Sequence, residues 1–451
     1  MIYQSLRKKH SRFIYQSYSY YIIGKDLVAQ FVFILSPNIR FEPKIIVKDI
    51  DEKRLKTLDS ATLENFIFHL GLAEIPSYWK CAVSPEIVIE AGYLSKEQIA
   101  WWKDLLENGL GEFFYTNKIP FSKNFLKITT TQKSVARKIT SLHLKNRYII
   151  PVGGGKDSFV TAHLLKEIKT DFRPLILGSV PAALNSSRAV SSERPIQVER
   201  KIDPRLTILN TKGYLNGHTP FSSYLAFLTV FCGLIFDYHH IAISQERSSN
   251  EGNIKIGEKI INHQYSKSFS FEKKFKEYLK KHLSGDINFF SLLRPLSELQ
   301  IAKIFTQAPE YFGIFRSCNV NLKENSWCRK CPKCFTIYLL LASFLKEKDL
   351  IKIFVENLLD DSSLWPYIPA FLGKSGARPF DCISSIEETK VALDMVIKKY
   401  ETERKKVPSL LHRYQKEFHP KRDIGEGFLS SWDKNNFVPQ SFQKTLKEKL
   451  K

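Results

Sequence analysis

The run Val152-Gly153-Gly154-Gly155-Lys156-Asp157-Ser158 follows the apolar stretch Tyr148-Ile149-Ile150 and precedes a helical pattern. Consecutive glycines let a backbone bend sharply and approach a ligand closely. A helix starting directly after them offers unpaired N–H groups and the positive end of its dipole. Together these features cradle phosphate. Lys156 adds charge and Ser158 a hydroxyl donor, while Asp157 suits such a place only as a helix cap or a metal contact. A second constellation is made of cysteines: Cys318, Cys328, Cys331 and Cys334 stand as C-x9-C-x2-C-x2-C. Four thiolates suit tetrahedral zinc in a structural site, and an iron–sulfur cluster also takes four cysteines. Cys81, Cys232 and Cys382 are isolated. An odd count with one tight cluster points to reduced thiols and one metal site, and away from a secreted disulfide framework.

Two common nucleotide motifs are excluded. The Walker A pattern needs glycine where Ile150 stands and Ser or Thr where Asp157 stands. The dinucleotide pattern G-x-G-x-x-G needs glycine where Ser158 stands. The residues resemble instead the PP-loop pattern S-G-G-x-D-S of ATP pyrophosphatases, with Gly153 in place of the first serine, which removes one hydroxyl contact to phosphate. That resemblance implies ATP binding by Gly153, Gly154, Gly155, Lys156, Asp157 and Ser158, with Mg2+. The cysteine spacing is similar to the zinc site of the PP-loop enzymes that make 7-cyano-7-deazaguanine, which favours structural zinc.

Further blocks surround the loop. They are Leu215-Asn216-Gly217-His218-Thr219-Pro220, Ser244-Gln245-Glu246-Arg247-Ser248-Ser249, Asn262-His263-Gln264-Tyr265-Ser266-Lys267-Ser268, Leu292-Leu293-Arg294-Pro295-Leu296-Ser297-Glu298 and Trp327-Cys328-Arg329-Lys330-Cys331-Pro332-Lys333-Cys334. This ordered set resembles the UDP-N-acetylmuramoyl-L-alanyl-L-glutamate epimerase family from about Tyr78 to about Tyr400. The resemblance implies a reaction on UDP-MurNAc-L-Ala-L-Glu. ATP adenylates the α-carboxylate of the terminal L-glutamate, the α-proton leaves and returns on the other face, and water releases the D-glutamate product, AMP and diphosphate. The chemistry has a physical basis. Removing a proton beside a carboxylate builds a second negative charge, and conversion to a mixed anhydride removes the first. Cations and N–H groups can then hold the enolate, and a base with a pKa near 7 can take the proton. His218, Glu246, His263 and Lys267 lie in polar blocks and are the candidate acids and bases; Arg247 and Arg294 are candidates to hold diphosphate or carboxylate bidentately. The alternative is a PP-loop enzyme that adenylates and modifies tRNA or a purine-like base.

Elements of matching type must position these groups. Arg147 to Val152 and Pro174 to Leu177 read as buried strands, Phe159 to Ile168 and Tyr224 to Phe236 as helices, and Ile241 to Ser244 as a short strand. Strands alternating with helices predict an α/β domain over 141–345, a parallel PP-loop sheet with helices on both faces. Before it, 1–140 reads as a smaller α+β domain. Its strands are Tyr20 to Ile23, Val28 to Leu35 and Ile45 to Val47, with a helix near Leu63 to Leu72. A second helix opens on the capping box Ser95-Lys96-Glu97-Gln98 and ends at Gly109 and Gly111. After it, 346–451 reads as helical, through Asp349 to Leu359 and Glu387 to Tyr400, ending in a polar, basic extension. The 451 residues carry a formal net charge of +22, which suits anionic partners such as ATP or a nucleotide-sugar. Lysine is spread rather than striped and no RNA-binding module is visible, so no nucleic-acid partner is expected. The start lacks an apolar run and a small-residue cleavage site, and the longest apolar run, Leu225 to Phe236, is too short to span a bilayer. The expectation is a cytoplasmic protein.

Overall fold

The computed structural model describes residues 2–120, 124–133, 141–420 and 426–450. The chain folds into two compact units made of interleaved segments. The first contains Met1–Ile149, Ile196–Ile241 and Ile261–Phe289; the second contains Ile150–Pro195, Ala242–Ile260 and Phe290–Lys451. The first boundary expected from sequence, at residue 140, falls in the stretch 134–140, outside the described residues.

In the first unit, strands Ile196–Lys201, Lys44–Val47, Asp26–Leu35, Arg12–Ile23, Glu86–Ile89 and Lys127–Thr130 lie side by side in that order. Aromatic and β-branched residues dominate them, as a pleated surface favours. The Asp26–Leu35 strand is the hub, antiparallel to Arg12–Ile23, Ile39–Phe41 and Lys44–Val47. Glu86–Ile89 runs parallel to Arg12–Ile23. Elsewhere in this unit Tyr238–Ile243 pairs in parallel with the start of Lys145–Pro151, with Ile241 opposite Ile149, as the alternation of strands and helices predicts.

The helix Ser60–Trp79, capped by the Asp59 carboxylate accepting from Thr62 N–H, is longer than the expected Leu63 to Leu72 and runs through Pro76. It is buried on nearly every side, so no amphipathic stripe marks its ends. Tyr15 stacks on Phe68 of this helix, ring centroids 5.7 Å apart. At Gly71 an added Cβ would lie 2.0 Å from the Tyr15 hydroxyl and 2.8 Å from Phe31 Cδ1. The expected capping box is present, Ser95 and Gln98 reciprocally bonded, and opens the helix Lys96–Gly109. One buried hydroxyl, Tyr278 Oη, gathers His69 Nε2 at 3.0 Å, Gln98 Nε2 at 3.2 Å and Trp102 Nε1 at 3.0 Å, tying these helices together.

The second unit is richer in helices: Lys156–Glu167, Pro181–Val190, Glu298–Phe305, Pro332–Ala342 and Ile386–Thr402. Its strand Phe172–Leu177 receives the Val152 N–H on Leu175 O at 2.8 Å, which fixes the start of the glycine run. The helix expected from Asp349 to Leu359 spans Glu347–Phe354 and stops because Val355 adopts φ of +73°. A short 3-10 turn, Leu358–Asp360, follows. Ser409–Phe418 and Gln440–Leu450 make the extension helical, the latter burying Phe442, Leu446 and Leu450. Among the described residues no helix is long and apolar enough to cross a membrane.

Gly71→Ala should lower stability to urea by about 1–3 kcal/mol, the usual range for overpacking a core. Tyr15→Phe, which removes the nearest atom, should recover part of that loss in the double variant; equal losses in the single and double variants would contradict the packing described.

Candidate active site

In the second unit, three glycines do different work. Gly154 has φ of +102°, and a Cβ there would lie 2.8 Å from Ala182 Cβ. Gly155 is the cap residue of the helix Lys156–Glu167 and brings no side chain to its first-turn N–H groups, and a Cβ there would meet Ser317 Oγ at 2.9 Å. A Cβ at Gly153 would meet nothing within 4 Å. The Ser158 hydroxyl donates to Gly155 O at 2.9 Å. The helix start thus has a glycine as its cap and lies close to other backbone, as an anion cradle requires.

Lys156 is fully buried and pairs with Asp157 and Glu298. Burial alone would lower its pKa; the two carboxylates more than offset this and the pKa is raised. Lys333 is also buried, 3.6 Å from Glu298 Oε1. Burial works against its charge too, and Glu298 again reverses the balance and raises its pKa. Asp157, Glu246 and Glu298 each offer a carboxylate oxygen, mutually within 4.8 Å. Three carboxylates facing two ammonium groups leave an acidic excess. Mg2+, held by one or two carboxylates together with phosphate oxygens, would fit there.

The two arginines are placed differently. Arg294 has no solvent exposure; it donates to Glu246 O at 2.6 Å, Ser249 Oγ at 3.0 Å and Gln245 Oε1 at 3.2 Å, so it braces the loop that carries Glu246. Arg247 donates to Ser431 Oγ at 3.1 Å, lies over the Phe428 ring and lines a cavity of about 870 Å³ with Ser248, Glu251, Glu388 and Asp433.

The four cysteines come together, all sulfurs within 4.8 Å of one another. Cys331 caps the helix Pro332–Ala342, its Sγ accepting from Cys334 N–H at 3.4 Å, and Cys318 Sγ accepts from Cys328 N–H at 3.3 Å. Arg329, at φ of +62°, turns the chain inside the first C-x2-C step, between Cys328 and Cys331. Cys328 and Cys334 sulfurs are 3.8 Å apart. Bonds of about 2.3 Å to a tetrahedral zinc place sulfurs about 3.8 Å from one another. An iron–sulfur cluster, which divides its four thiolates among two or four irons, sets thiolates on different irons farther apart. The donor set fits one zinc ion.

The first unit holds a separate cluster. Glu112 lies on the short helix Gly111–Thr116. Its Oε2 contacts His263 Nδ1 closely and stands 3.3 Å from His218 Nδ1. The two imidazole rings are 4.5 Å apart. Two glycines make this convergence possible. A Cβ at Gly109 would lie 2.8 Å from Pro220 Cβ, and one at Gly111 would lie 3.3 Å from Ile261 Cγ2. Only a bare backbone lets the segments carrying His218 and His263 close on Glu112. Lys80, buried, donates to Gly217 O and to Thr219 Oγ1 at 2.6 Å, holding the turn on either side of His218. Burial pushes Lys80 down to about 8. His218 is pushed down to about 3, first by burial and then by the charges of His263, Lys80 and Lys267. His218 is therefore neutral at pH 7, and its Nε2 atom is buried without a hydrogen-bond partner among the described residues.

Of the residues expected from sequence, the structure unites His218 and His263, with Lys267 near enough to bias His218, and puts Glu246 in the other unit beside Asp157 and Glu298. Glu112, Lys80 and Lys333 were not singled out. Lys333 stands inside the cysteine motif and Glu112 directly follows Gly111, but neither stands out as a charge without its fold.

The sequence matches the MurL N-terminal domain over residues 4–292 and the MurL C-terminal domain over residues 314–423. The chain belongs to the MurL family. Similar MurL relatives include two proteins called UDP-N-acetyl-alpha-D-muramoyl-L-alanyl-L-glutamate epimerase. One, from Xanthomonas oryzae pv. oryzae, is 31% identical over 354 residues, 77% of each chain. The other, from a Micromonospora species, is 32% identical over 343 residues, 74% of this chain and 75% of the relative. No solved structure matches the chain significantly. The MurL N-terminal match takes in Glu112, the glycine loop, His218, Glu246 and His263, and the C-terminal match takes in the cysteines.

A pH prediction follows from His218. Its folded pKa lies below the unfolded value, so it contributes stability above pH 6.5 that is lost as pH falls toward about 3. Between pH 7.5 and pH 5, His218→Gln should lose about 2 kcal/mol less stability to urea than the parent protein. Parallel pH curves for the two proteins would contradict a neutral, half-buried His218.

Proposed function

We propose that this MurL-family chain epimerises the α-carbon of the terminal L-glutamate of UDP-MurNAc-L-Ala-L-Glu, using ATP to activate the carboxylate, in the synthesis of peptidoglycan precursors. The observation that carries the reading is the half-buried, neutral His218 beside His263 on Glu112, in a family whose relatives bear the epimerase name. An unactivated Cα–H is a poor acid, so a base alone does not suffice. The glycine-capped helix start at Gly155, with Lys156 and Lys333 beside it, supports a phosphate-binding role of the PP-loop kind.

In this reading the glutamate carboxylate attacks the α-phosphorus of ATP and diphosphate leaves, giving a glutamyl adenylate. Ser158 and the N–H groups after Gly155 hold phosphate oxygens; Asp157, Glu246 and Glu298 would hold Mg2+, which would supply charge neutralisation at the phosphates. Lys156 and Lys333 keep these carboxylates paired, and Arg294 braces the Glu246 loop. Arg247 contacts the anionic substrate from its cavity. His218, His263 and Lys267 then move the α-proton off one face and onto the other, and water cleaves the acyl phosphate to release AMP and the D-glutamate product. The cysteine site holds structural zinc, and the substrate class implies a cytoplasmic enzyme.

Asp157→Ala and Ser158→Ala should each reduce AMP release at least 100-fold with the fold retained. Running the parent enzyme in D2O should place deuterium at the glutamate α-carbon of the D product. AMP release should depend on the UDP-linked dipeptide. Stimulation by tRNA in its absence would favour a base-modifying enzyme instead, and near-normal turnover of both variants would remove the loop from the reaction. Elemental analysis should find one zinc per chain, lost together with stability in Cys331→Ser; iron with sulfide, or stable protein without metal, would refute that assignment.

A further inference from the structure

We infer that Glu112 fixes the tautomer of His218 and His263 together, so that each ring carries its hydrogen on Nδ1 and turns a bare Nε2 to the reaction. The inference deepens the proposed function and rests on it. One carboxylate oxygen, Glu112 Oε2, faces both Nδ1 atoms, His263 in a close hydrogen bond and His218 at 3.3 Å. An ionised carboxylate only accepts hydrogen bonds. A bare Nδ1 pointed at it would oppose lone pair to lone pair, so both Nδ1 atoms carry hydrogen. A neutral imidazole with hydrogen on Nδ1 has its lone pair on Nε2. At His218 that Nε2 atom is buried and has no hydrogen-bond partner among the described residues. It is an acceptor kept open.

Epimerisation needs a group that takes a proton and a group that gives one. Two imidazoles on one carboxylate supply both. One ring, neutral, accepts the α-proton on Nε2; the other, protonated on both nitrogens, returns one from its own Nε2. Over a turnover one ring gains the proton the other has lost, and exchange with water restores the starting state. Glu112 stabilises whichever ring is charged without touching the substrate; it is a positioning residue. A carboxylate and two histidines are also a possible metal site, since their donor atoms lie within 4.8 Å of one another. The charges of Lys80 and Lys267, both felt by His218, oppose a dication there and suit an anionic substrate.

The experiment uses the full-length enzyme with 15N-labelled histidine. Long-range proton–nitrogen spectra report which ring nitrogen carries hydrogen, and His218→Gln and His263→Gln assign the two rings. Both should show the Nδ1–H tautomer when neutral. Glu112→Gln, close in shape, should disturb that pattern at one or both rings and slow deuterium incorporation from D2O at least 100-fold, and Glu112→Ala should do the same. An Nε2–H tautomer at either ring in the parent enzyme would overturn the inference. So would unchanged tautomers and exchange rate in Glu112→Gln, or ring signals that shift on adding Zn2+ in equivalents beyond the cysteine site. If the parent enzyme neither releases AMP nor incorporates deuterium, the proposed function fails, while the tautomers still decide the role of Glu112.

Discussion

Lys156 is an ammonium group with no access to water, and it stays charged there only because Asp157 and Glu298 stand against it. Taking a charge out of water costs several kcal/mol unless a partner and further hydrogen bonds compensate. That requirement organises the second unit around the glycine run. Glu298 must reach Lys156, so its helix is capped by Ser297 and its N–H is bonded to Ser248 Oγ at 3.1 Å. Ser248 donates in turn to buried Glu388 at 2.7 Å. Lys333 must reach Glu298, and the cysteine turn fixes the helix that carries it. The same principle operates in the first unit, where Arg200 forks onto buried Glu74 at 2.7 and 2.6 Å.

The glycine run, the four cysteines and the histidine blocks were legible because each is a local pattern whose chemistry depends on spacing along the chain. The capping box at Ser95 and the strand–loop–helix order around Gly155 were legible for the same reason. What escaped was long-range. Glu112 acquires meaning only when residues 151 positions later in the chain fold back on it, as His263 does. Lys80 lies at the end of a helix buried on all sides, where period and polarity carry no signal. The helix past Asp349 was overextended because Val355 is an apolar residue in a left-handed conformation that favours glycine.

The two clusters use burial in opposite ways. Around Lys156 burial is overcome, and the lysines are held charged by paired carboxylates. Around His218 burial prevails, and the imidazole is kept neutral among positive neighbours. In the proposed reaction, phosphate would need fixed charge, while a proton carrier would have to lose and regain it. The two charge states arise in separate units from the same few residue types.

Gly153 is where the chain departs from the serine of the PP-loop pattern, and it faces open space without a left-handed backbone. Its two neighbours are locked by contact and conformation. Packing therefore leaves the first position of the loop open to drift, with serine and glycine interchangeable in shape and different only in one hydroxyl. In the reaction proposed above, selection at this position would act on the hydroxyls offered to phosphate, with the architecture indifferent to the outcome.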